Sequence, residues 1–209
     1  PAPAWAGAVV LLHGSGHSGD GLKRQLHALD GGWLMANLSA SGIATFFPDS
    51  GIRPYTLAGG APMSVWFDRT DLPPSSPEHT ESVEESAGRL SEYLEGIQAS
   101  TGVPPGRFVV GGFSMGGGIA LQLAARRPGA MGAAFALSSY MCDDAAAYRI
   151  IEESPRRSWP PVFMAHGEAD DFIKPDWGRA TAQRLRGLGV PARFASLPGV
   201  RHELQAGEL

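Results

Sequence analysis

A serine between two glycines is the first feature of the sequence that could do chemistry. Ser114 is the centre of a Gly-Phe-Ser-Met-Gly pentapeptide at residues 112–116, which follows an apolar run at residues 108–111 and precedes an alanine-rich segment. A G-x-S-x-G pattern between a strand and a helix is typical of a strained turn that presents a nucleophilic serine. Glycines flank it because side chains there would collide with neighbouring backbone. The structural alternative is a serine that only caps the helix.

A serine hydroxyl needs a base to accept its proton, and the sequence offers six histidines. In the chain order that accompanies this pattern, the acid and then the histidine follow the serine, which leaves His166 and His202. His166 ends a predicted strand, and choosing it would leave no room for an acid before it. We therefore interpret His166 as a packed or backbone-bonded histidine. We predict that His202, in a loop after the last predicted strand, is the base.

An acidic residue must orient this base and stabilise the imidazolium that forms during the reaction. Glu168, Asp170 and Asp171 all follow the apolar run at residues 162–165. Spacing does not separate the three, and each could instead be a solvated loop residue or a helix cap. The residues by themselves favour Asp170 only slightly, and the other two stay open.

The first predicted strand runs into a glycine-rich loop at residues 13–19. In a hydrolase, this loop would bring the backbone N–H of Ser15 to a substrate carbonyl, and the N–H of Met115 would be the second donor of an oxyanion hole. The same loop contains G-x-G-x-x-G, the fingerprint of dinucleotide binding. His13 in the tight turn and an acidic residue that comes too late, at Asp49, argue against a dinucleotide-dependent oxidoreductase.

Six apolar runs of strand length must position these residues, at residues 8–12, 43–47, 108–111, 132–137, 162–165 and 192–197. Their continuous apolar character is typical of strands covered on both faces. Apolar residues three and four apart predict a helix over residues 83–97, and shorter helices are predicted at residues 120–127 and 180–188. This alternation predicts an α/β protein with the α/β-hydrolase fold, in which a mostly parallel sheet carries helices on both faces in three α/β/α layers.

Residues 48–77 interrupt the alternation, because six prolines surround an aromatic cluster there. Loops this long are uncommon unless they cover a site, and the aromatic content argues against disorder. We therefore predict an ordered excursion beside the active site. Candidate pocket walls, although such residues are more often plain core, are Leu57, Met63, Trp66, Met115 and Phe172.

Length and composition predict a single domain over residues 1–209 and exclude several classes of function. A hydrophobic content of 43% is enough for a buried sheet, and a formal charge of −4 without a basic stretch argues against nucleic acid as a partner. No apolar run approaches the roughly 20 residues that cross a bilayer. The single cysteine, Cys142, favours a cytoplasmic location, although it would equally fit a larger secreted protein. The Pro-Ala start indicates a fragment, and no pattern of metal ligands is present.

The chain resembles, over nearly its whole length, the family of acyl-protein thioesterases and related carboxylesterases and lysophospholipases. The resemblance rests on the stretches at residues 12–16, 64–69, 111–117, 135–139 and 166–170. It implies that Asp170, the fifth residue of a His-Gly-x-x-Asp segment, is the acid and that His202 is the base. It also implies that the excursion borders the acyl site.

The three residues and the two N–H donors predict two-step acyl transfer through a covalent acyl-enzyme, without a cofactor or a metal. The expected partner is a small acyl ester or an acylated protein, and the expected assembly is a monomer or weak homodimer. Two features depart from the family: Met115 stands where acyl-protein thioesterases commonly carry Gln, and the sequence ends at Leu209, where family members continue into a helix. A non-catalytic binding protein with the same fold is the alternative from another class.

Overall fold

The computed structural model of the protein describes residues 5–154 and 158–208. Its main element is a six-stranded sheet formed by β1 (Gly7–Leu12), β2 (Ile43–Phe46), β5 (Phe108–Phe113), β6 (Ala133–Leu137), β7 (Val162–Gly167) and β8 (Ala192–Leu197). The strands lie in the order β2-β1-β5-β6-β7-β8, and every neighbouring pair is parallel. A separate antiparallel hairpin consists of β3 (Ile52–Tyr55) and β4 (Ala61–Ser64).

Helices connect the parallel strands, as the crossover geometry of a parallel sheet requires. They are α1 (Gly19–Asp30), α2 (Trp33–Ala40), α3 (Thr80–Thr101), α4 (Met115–Arg126), α5 (Ala146–Glu152) and α6 (Pro175–Gly187). In the part of the chain that the structure describes, none of them is long and apolar enough to span a membrane.

The sheet lies between two unequal helical layers. On one face, α3, α4 and α6 pack against alternate strand residues such as Val10, Val110 and Met164, which belong to the larger apolar cluster. On the other face, α1 buries Leu22 and Leu26 in a smaller cluster with residues of β1, β6 and β7. The predicted three-layer α/β arrangement is therefore confirmed.

All six predicted strands are present, and each observed end lies within two residues of its prediction. The three predicted helices are also present, although α4 and α6 each begin five residues earlier than their apolar pattern indicates. The elements for which no bounds were predicted are α1, α2, α5 and the hairpin. Helix α2 has no buried residue and therefore no apolar stripe to detect. Pro54 and Pro62 face each other in the hairpin, a residue type that argues against a strand.

Parallel strands direct all their carboxyl ends to one edge of the sheet, where ligands bind in open α/β proteins. The chain leaves β1 at His13, β5 at Ser114 and β7 at Glu168, so these three loops meet at that edge. The excursion at residues 48–77 begins after β2 and contributes the hairpin to the same side of the molecule, because the N–H of Gly16 donates to the carbonyl of Ser64 at 2.8 Å.

Candidate active site

Ser114 lies in the turn between β5 and α4, with φ 54° and ψ −123°. A non-glycine residue at positive φ is strained, and it persists only where its surroundings hold it. Here the N–H of Ser114 donates to the carbonyl of Leu137 at 2.8 Å, while its own carbonyl accepts the N–H of Gly118 at 3.2 Å. The turn therefore fixes the serine at the end of β5, with its side chain lining the cleft at the edge of the sheet.

The two glycines of the pentapeptide are required by close packing against the end of β1. A Cβ atom on Gly112 would lie 2.2 Å from the carbonyl oxygen of Leu12, and one on Gly116 would lie 2.1 Å from the same oxygen. Neither contact is possible, and both involve backbone, which cannot move aside cheaply. The collision expected from the sequence is present at both positions.

His202 bridges Ser114 and Asp170. Its Nε2 lies 3.1 Å from the Ser114 Oγ, and its Nδ1 lies 2.7 Å from Asp170 Oδ2. Because a carboxylate can only accept, Nδ1 carries the proton and Nε2 is left to accept the proton of the serine hydroxyl. Phe113 and Phe172 pack against the imidazole, with ring centroids 4.8 and 5.1 Å away. The ring is therefore held in the orientation that a base for Ser114 needs.

Asp170 is fixed from both sides in the loop after β7. Its side chain is fully buried, and Oδ1 accepts the backbone N–H groups of Phe172 and Ile173 at 3.1 and 2.8 Å. The other two acidic residues of this loop, Glu168 and Asp171, have exposed side chains and no contact with His202. Of the three acidic residues that spacing left open, the structure brings only Asp170 to the histidine.

His166 is a second histidine that contacts the Asp170 carboxylate. Its Nε2 lies 2.9 Å from the carbonyl oxygen of Ile173 and 3.2 Å from Asp170 Oδ2, so its N–H points at two acceptors. Burial lowers the pKa of His166, and a neutral ring with its proton on Nε2 satisfies both acceptors. The backbone bond matches the interpretation from sequence, whereas the contact with Asp170 was missed. The four-residue spacing between them was the available signal.

The glycine-rich loop after β1 is held by a buried, neutral histidine. His13 Nδ1 donates to the carbonyl of Gly14 at 2.8 Å, and its Nε2 accepts the N–H of Ser50 at 3.1 Å. A protonated ring would place an N–H against the N–H of Ser50, and burial correspondingly lowers the pKa of His13. Asp49, the acidic residue considered for ribose binding, instead accepts the N–H of Gly19 at the start of α1.

Ser15 and Met115, the predicted oxyanion-hole residues, both line the cleft beside Ser114. The Ser15 Oγ lies 3.6 Å from the Met115 sulfur, so the two residues are in contact. Met115 is the first residue of α4, where helix geometry leaves the N–H without a partner. Within residues 5–154 and 158–208, the N–H of Ser15 also has no acceptor. Two unpaired donors therefore lie close to the serine.

The cleft has a volume of about 570 Å³, and the excursion forms one of its walls. Leu57, Met63 and Phe172 line it, as predicted from sequence, and Met115 lies at its base. Trp66 does not. It is only 2% exposed, and its Nε1 donates to the carbonyl of His13 at 2.8 Å, which puts the ring behind the glycine-rich loop rather than in the cleft. The assignment of Trp66 to the pocket wall is corrected accordingly.

Several lining residues were not identified from sequence, among them Tyr55, Leu72 and Arg69. Arg69 ends one of the stretches that carry the family resemblance, but the sequence assigned no role to it. All three residues reach the cleft because the excursion folds back over the sheet edge. No cluster of three or more His, Cys, Asp or Glu side chains suited to a metal ion occurs in the portion of the chain that the structure describes.

Comparison with models of known protein families matches the whole chain to a single family model. The family model described as phospholipase/carboxylesterase matches residues 1–209. The chain belongs to this family. It is therefore an α/β-hydrolase that acts on carboxylic esters or thioesters, as the sequence predicted, and the dinucleotide-binding alternative is wrong.

The match to individual relatives covers most of the length of each relative. Lysophospholipase-like protein 1 of Mus musculus is 35% identical over 209 residues, covering 100% of this chain and 85% of that protein. Acyl-protein thioesterase 1 homolog 1 of Dictyostelium discoideum is 25% identical over 202 residues, with 96% and 85% covered. The chain is thus similar to both branches named in the resemblance.

Solved structures of the family agree with the architecture. Zea mays acyl-protein thioesterase 2 superposes with a TM-score of 0.80 at 27% identity, covering 100% of this chain and 91% of that one. Arabidopsis thaliana SOBER1 gives a TM-score of 0.82 at 25% identity, with 97% and 93% covered. The family's fold therefore extends over the six-stranded sheet and the loops that carry the candidate site.

Proposed function

We propose that this hydrolase works through a Ser114–His202–Asp170 triad and a covalent acyl-enzyme. The observation that carries the proposal is the continuous chain of hydrogen bonds from the Ser114 Oγ through His202 to Asp170, at 3.1 and 2.7 Å. This chain begins at a serine on a strained turn and ends at a buried carboxylate, which is the arrangement that activates a hydroxyl.

In the first step, the Ser114 Oγ attacks the carbonyl carbon and its proton passes to His202 Nε2. The negative charge that develops on the carbonyl oxygen faces the N–H groups of Ser15 and Met115, each worth about 3 kcal/mol in comparable oxyanion holes. The tetrahedral intermediate collapses as His202 returns the proton to the departing alcohol or thiol. The acyl group is then an ester of Ser114.

In the second step, water attacks the acyl-enzyme while His202 accepts one of its protons. Collapse releases the carboxylic acid, and the proton returns to Ser114. Asp170 keeps the proton-bearing Nδ1 of His202 in place through both steps and stabilises the imidazolium. No group outside the chain is needed to balance these steps.

For the substrate we propose a small acyl ester or an acylated protein, so that the activity is that of a short-chain carboxylesterase or an acyl-protein thioesterase. A cleft of about 570 Å³ falls within the usual range for small-molecule sites. Two of the relatives are named acyl-protein thioesterase, which favours an acyl thioester. The cytoplasmic location, the single domain and the monomer or weak homodimer stay predictions.

The test is mass spectrometry after treatment with a fluorophosphonate probe. We expect one adduct on Ser114 of the parent chain, and none in Ser114→Ala or His202→Ala. Ser100→Ala, an exposed serine on α3, is the matched control and should label like the parent. A folded parent chain that gains no adduct would overturn the proposal in favour of a non-catalytic binding protein. A panel of oxygen esters and thioesters of increasing acyl length then defines the substrate.

A further inference from the structure

Arg69 is a buried cation that lines the same cleft as Ser114. The side chain belongs to the excursion and is 9% exposed. Transfer of a guanidinium from water into a protein interior is unfavourable unless an anion or a full set of acceptors compensates for it. Its surroundings therefore indicate whether the protein itself supplies that compensation.

Within residues 5–154 and 158–208, the Arg69 guanidinium donates to one acceptor. Arg69 Nη1 donates to the Tyr140 hydroxyl oxygen at 2.9 Å, and the guanidinium lies over the rings of Phe67 and Tyr140, 5.0 and 5.4 Å from their centroids. Its Nε is buried without a partner. A guanidinium has five N–H donors, so most of its hydrogen-bonding capacity is unused. The aromatic faces stabilise the charge only in part.

No carboxylate neutralises it. Across the described ranges 5–154 and 158–208, no acidic oxygen lies within 4.0 Å of the Arg69 nitrogens, and the nearby acids are engaged elsewhere. Asp68 accepts the N–H and hydroxyl of Thr56, at 2.8 and 2.6 Å. Asp71 accepts the N–H of Leu72 at 2.7 Å, and Glu78 accepts the N–H of Ala146 at 3.0 Å.

Two further ionisable groups beside Arg69, the Tyr140 hydroxyl and the Cys142 thiol, are neutral at neutral pH. Burial raises the pKa of Tyr140 to about 12 and that of the Cys142 thiol to about 11. Neither group is an anion at neutral pH, so neither forms an ion pair with the guanidinium. The cleft thus contains a desolvated positive charge together with the nucleophile, and the residues that line it include one carboxylate, the exposed Glu203.

We infer that Arg69 selects acyl substrates that carry an anionic group, a carboxylate or a phosphate, and binds that group through its free N–H donors. This inference deepens the proposed function, on which it rests, by naming a substrate class for the same cleft. Arg is suited to the role because its planar donors match the two oxygens of such an anion. The anionic group can lie on the acyl chain or on the leaving group.

Three pairs of substrates distinguish these positions, two that vary the acyl chain and one that varies the leaving group. On the acyl side, mono-para-nitrophenyl succinate and glutarate are compared with para-nitrophenyl butyrate and valerate. On the leaving-group side, the butyrate ester of meta-hydroxybenzoate is compared with that of methyl meta-hydroxybenzoate. Each pair is measured with the parent chain, Arg69→Gln and Arg69→Lys. The ratio of kcat/KM between the two members is then compared among the variants, which cancels the difference in intrinsic reactivity between the two esters.

We expect the preference for the anionic member of one pair to fall roughly 10- to 100-fold in Arg69→Gln, mainly through KM, because a charge-assisted hydrogen bond is lost. Arg69→Lys should retain part of the preference. If both members of every pair lose activity equally in Arg69→Gln, Arg69 is only a structural residue and the inference is wrong.

A binding measurement on the parent chain keeps the inference testable if Arg69→Gln does not fold, and separates it from the proposed function. Glutarate should raise the melting temperature and slow labelling of Ser114 by the fluorophosphonate, whereas its uncharged diamide, glutaramide, at the same concentration should do neither. Equal effects of the anion and the diamide would overturn the role of Arg69. Absence of labelling together with a glutarate-specific shift in melting temperature would overturn the triad but not the anion site.

Discussion

The two walls of the cleft differ in how closely their atoms are packed. The wall at the ends of β5 and β7 consists of backbone in close contact, where even one methyl group on Gly116 would collide with Leu12. The opposite wall, the hairpin of the excursion, is open: Ile52 is 77% exposed and Leu57 is 39% exposed, and a Cβ on Gly59 would meet no atom within 4 Å. The first wall fixes the reacting atoms, and the second can vary without disturbing them.

This contrast assigns chemistry to the sheet edge and substrate choice to the excursion. The proposed triad residues all lie in loops that follow the carboxyl ends of parallel strands. Hydrogen bonds between neighbouring strands fix the positions of these strand ends. Leu57, Met63 and Arg69 all come from the excursion. Substitutions on the two walls should therefore affect different kinetic and thermodynamic quantities.

The largest expected effect is on the sheet-edge wall. Asp170→Asn should lower kcat about 10⁴-fold, because an amide that donates a hydrogen bond favours the wrong tautomer of the histidine. Asp171→Asn, in the exposed neighbour, should stay within about threefold of the parent. Steady-state hydrolysis of para-nitrophenyl butyrate measures both. Equal losses in the two variants would mean that Asp170 does not orient His202.

The next effect compares glycines on the two walls. Gly116→Ala should destabilise the fold by about 3 kcal/mol, because its Cβ would lie 2.1 Å from a backbone oxygen that cannot move freely. Gly59→Ala in the hairpin should cost only about 1 kcal/mol, from its φ of 65°. Urea unfolding gives both free energies. If Gly59→Ala proved the more costly, the assignment of a rigid and an open wall would be reversed.

A smaller effect concerns pH and the two buried histidines, one under each wall. Burial lowers the pKa of His13 and of His166 below 6.5, so the unfolded chain binds more protons than the folded one in this range. Stability is therefore complete above pH 6.5 and falls as the pH drops below it, by up to about 1.4 kcal/mol per pH unit for each histidine.

Urea unfolding between about pH 7.5 and about pH 5 tests this linkage, because that range brackets the ordinary histidine pKa of about 6.5. His166→Gln keeps a donor toward Ile173 and should give a shallower loss of stability than the parent. An exposed histidine, His27→Gln, is the matched control and should leave the slope unchanged. A parent chain that gains stability on acidification would contradict the neutral state inferred for both rings.

The smallest expected effect lies on the open wall. Leu57→Ala should lower kcat/KM for a butyrate ester roughly threefold, mainly through KM, because a half-exposed side chain contributes only part of its apolar area to binding. Ile52→Ala is the matched control in the same hairpin, since Ile52 does not line the cleft. An unchanged kcat/KM in Leu57→Ala would show that Leu57 does not bind the substrate, and a fall in kcat at unchanged KM would show that this wall does more than bind it.

Much of the sheet edge could be predicted from sequence because patterns over a few neighbouring residues specify it. Apolar runs mark the strands, and the glycines on either side of Ser114 mark a turn that tolerates no side chain there. The order of serine, acid and histidine along the chain follows from the way these strands are connected. For the excursion, the sequence indicated an ordered loop with an aromatic cluster beside the active site. It did not reveal the hairpin, because Pro54 and Pro62 obscure the strand pattern.

By itself, the sequence determined the fold class, the serine and the two candidate histidines, because periodicity and turn chemistry act over a few residues. Only the tertiary structure decided which side chains meet across long separations in the chain. It brought Asp170, rather than Asp171 or Glu168, to His202, and it placed Trp66 behind the loop and Arg69 in the cleft. The physical reason is that burial, and the directions in which neighbouring side chains point, depend on how the loops pack over the sheet edge.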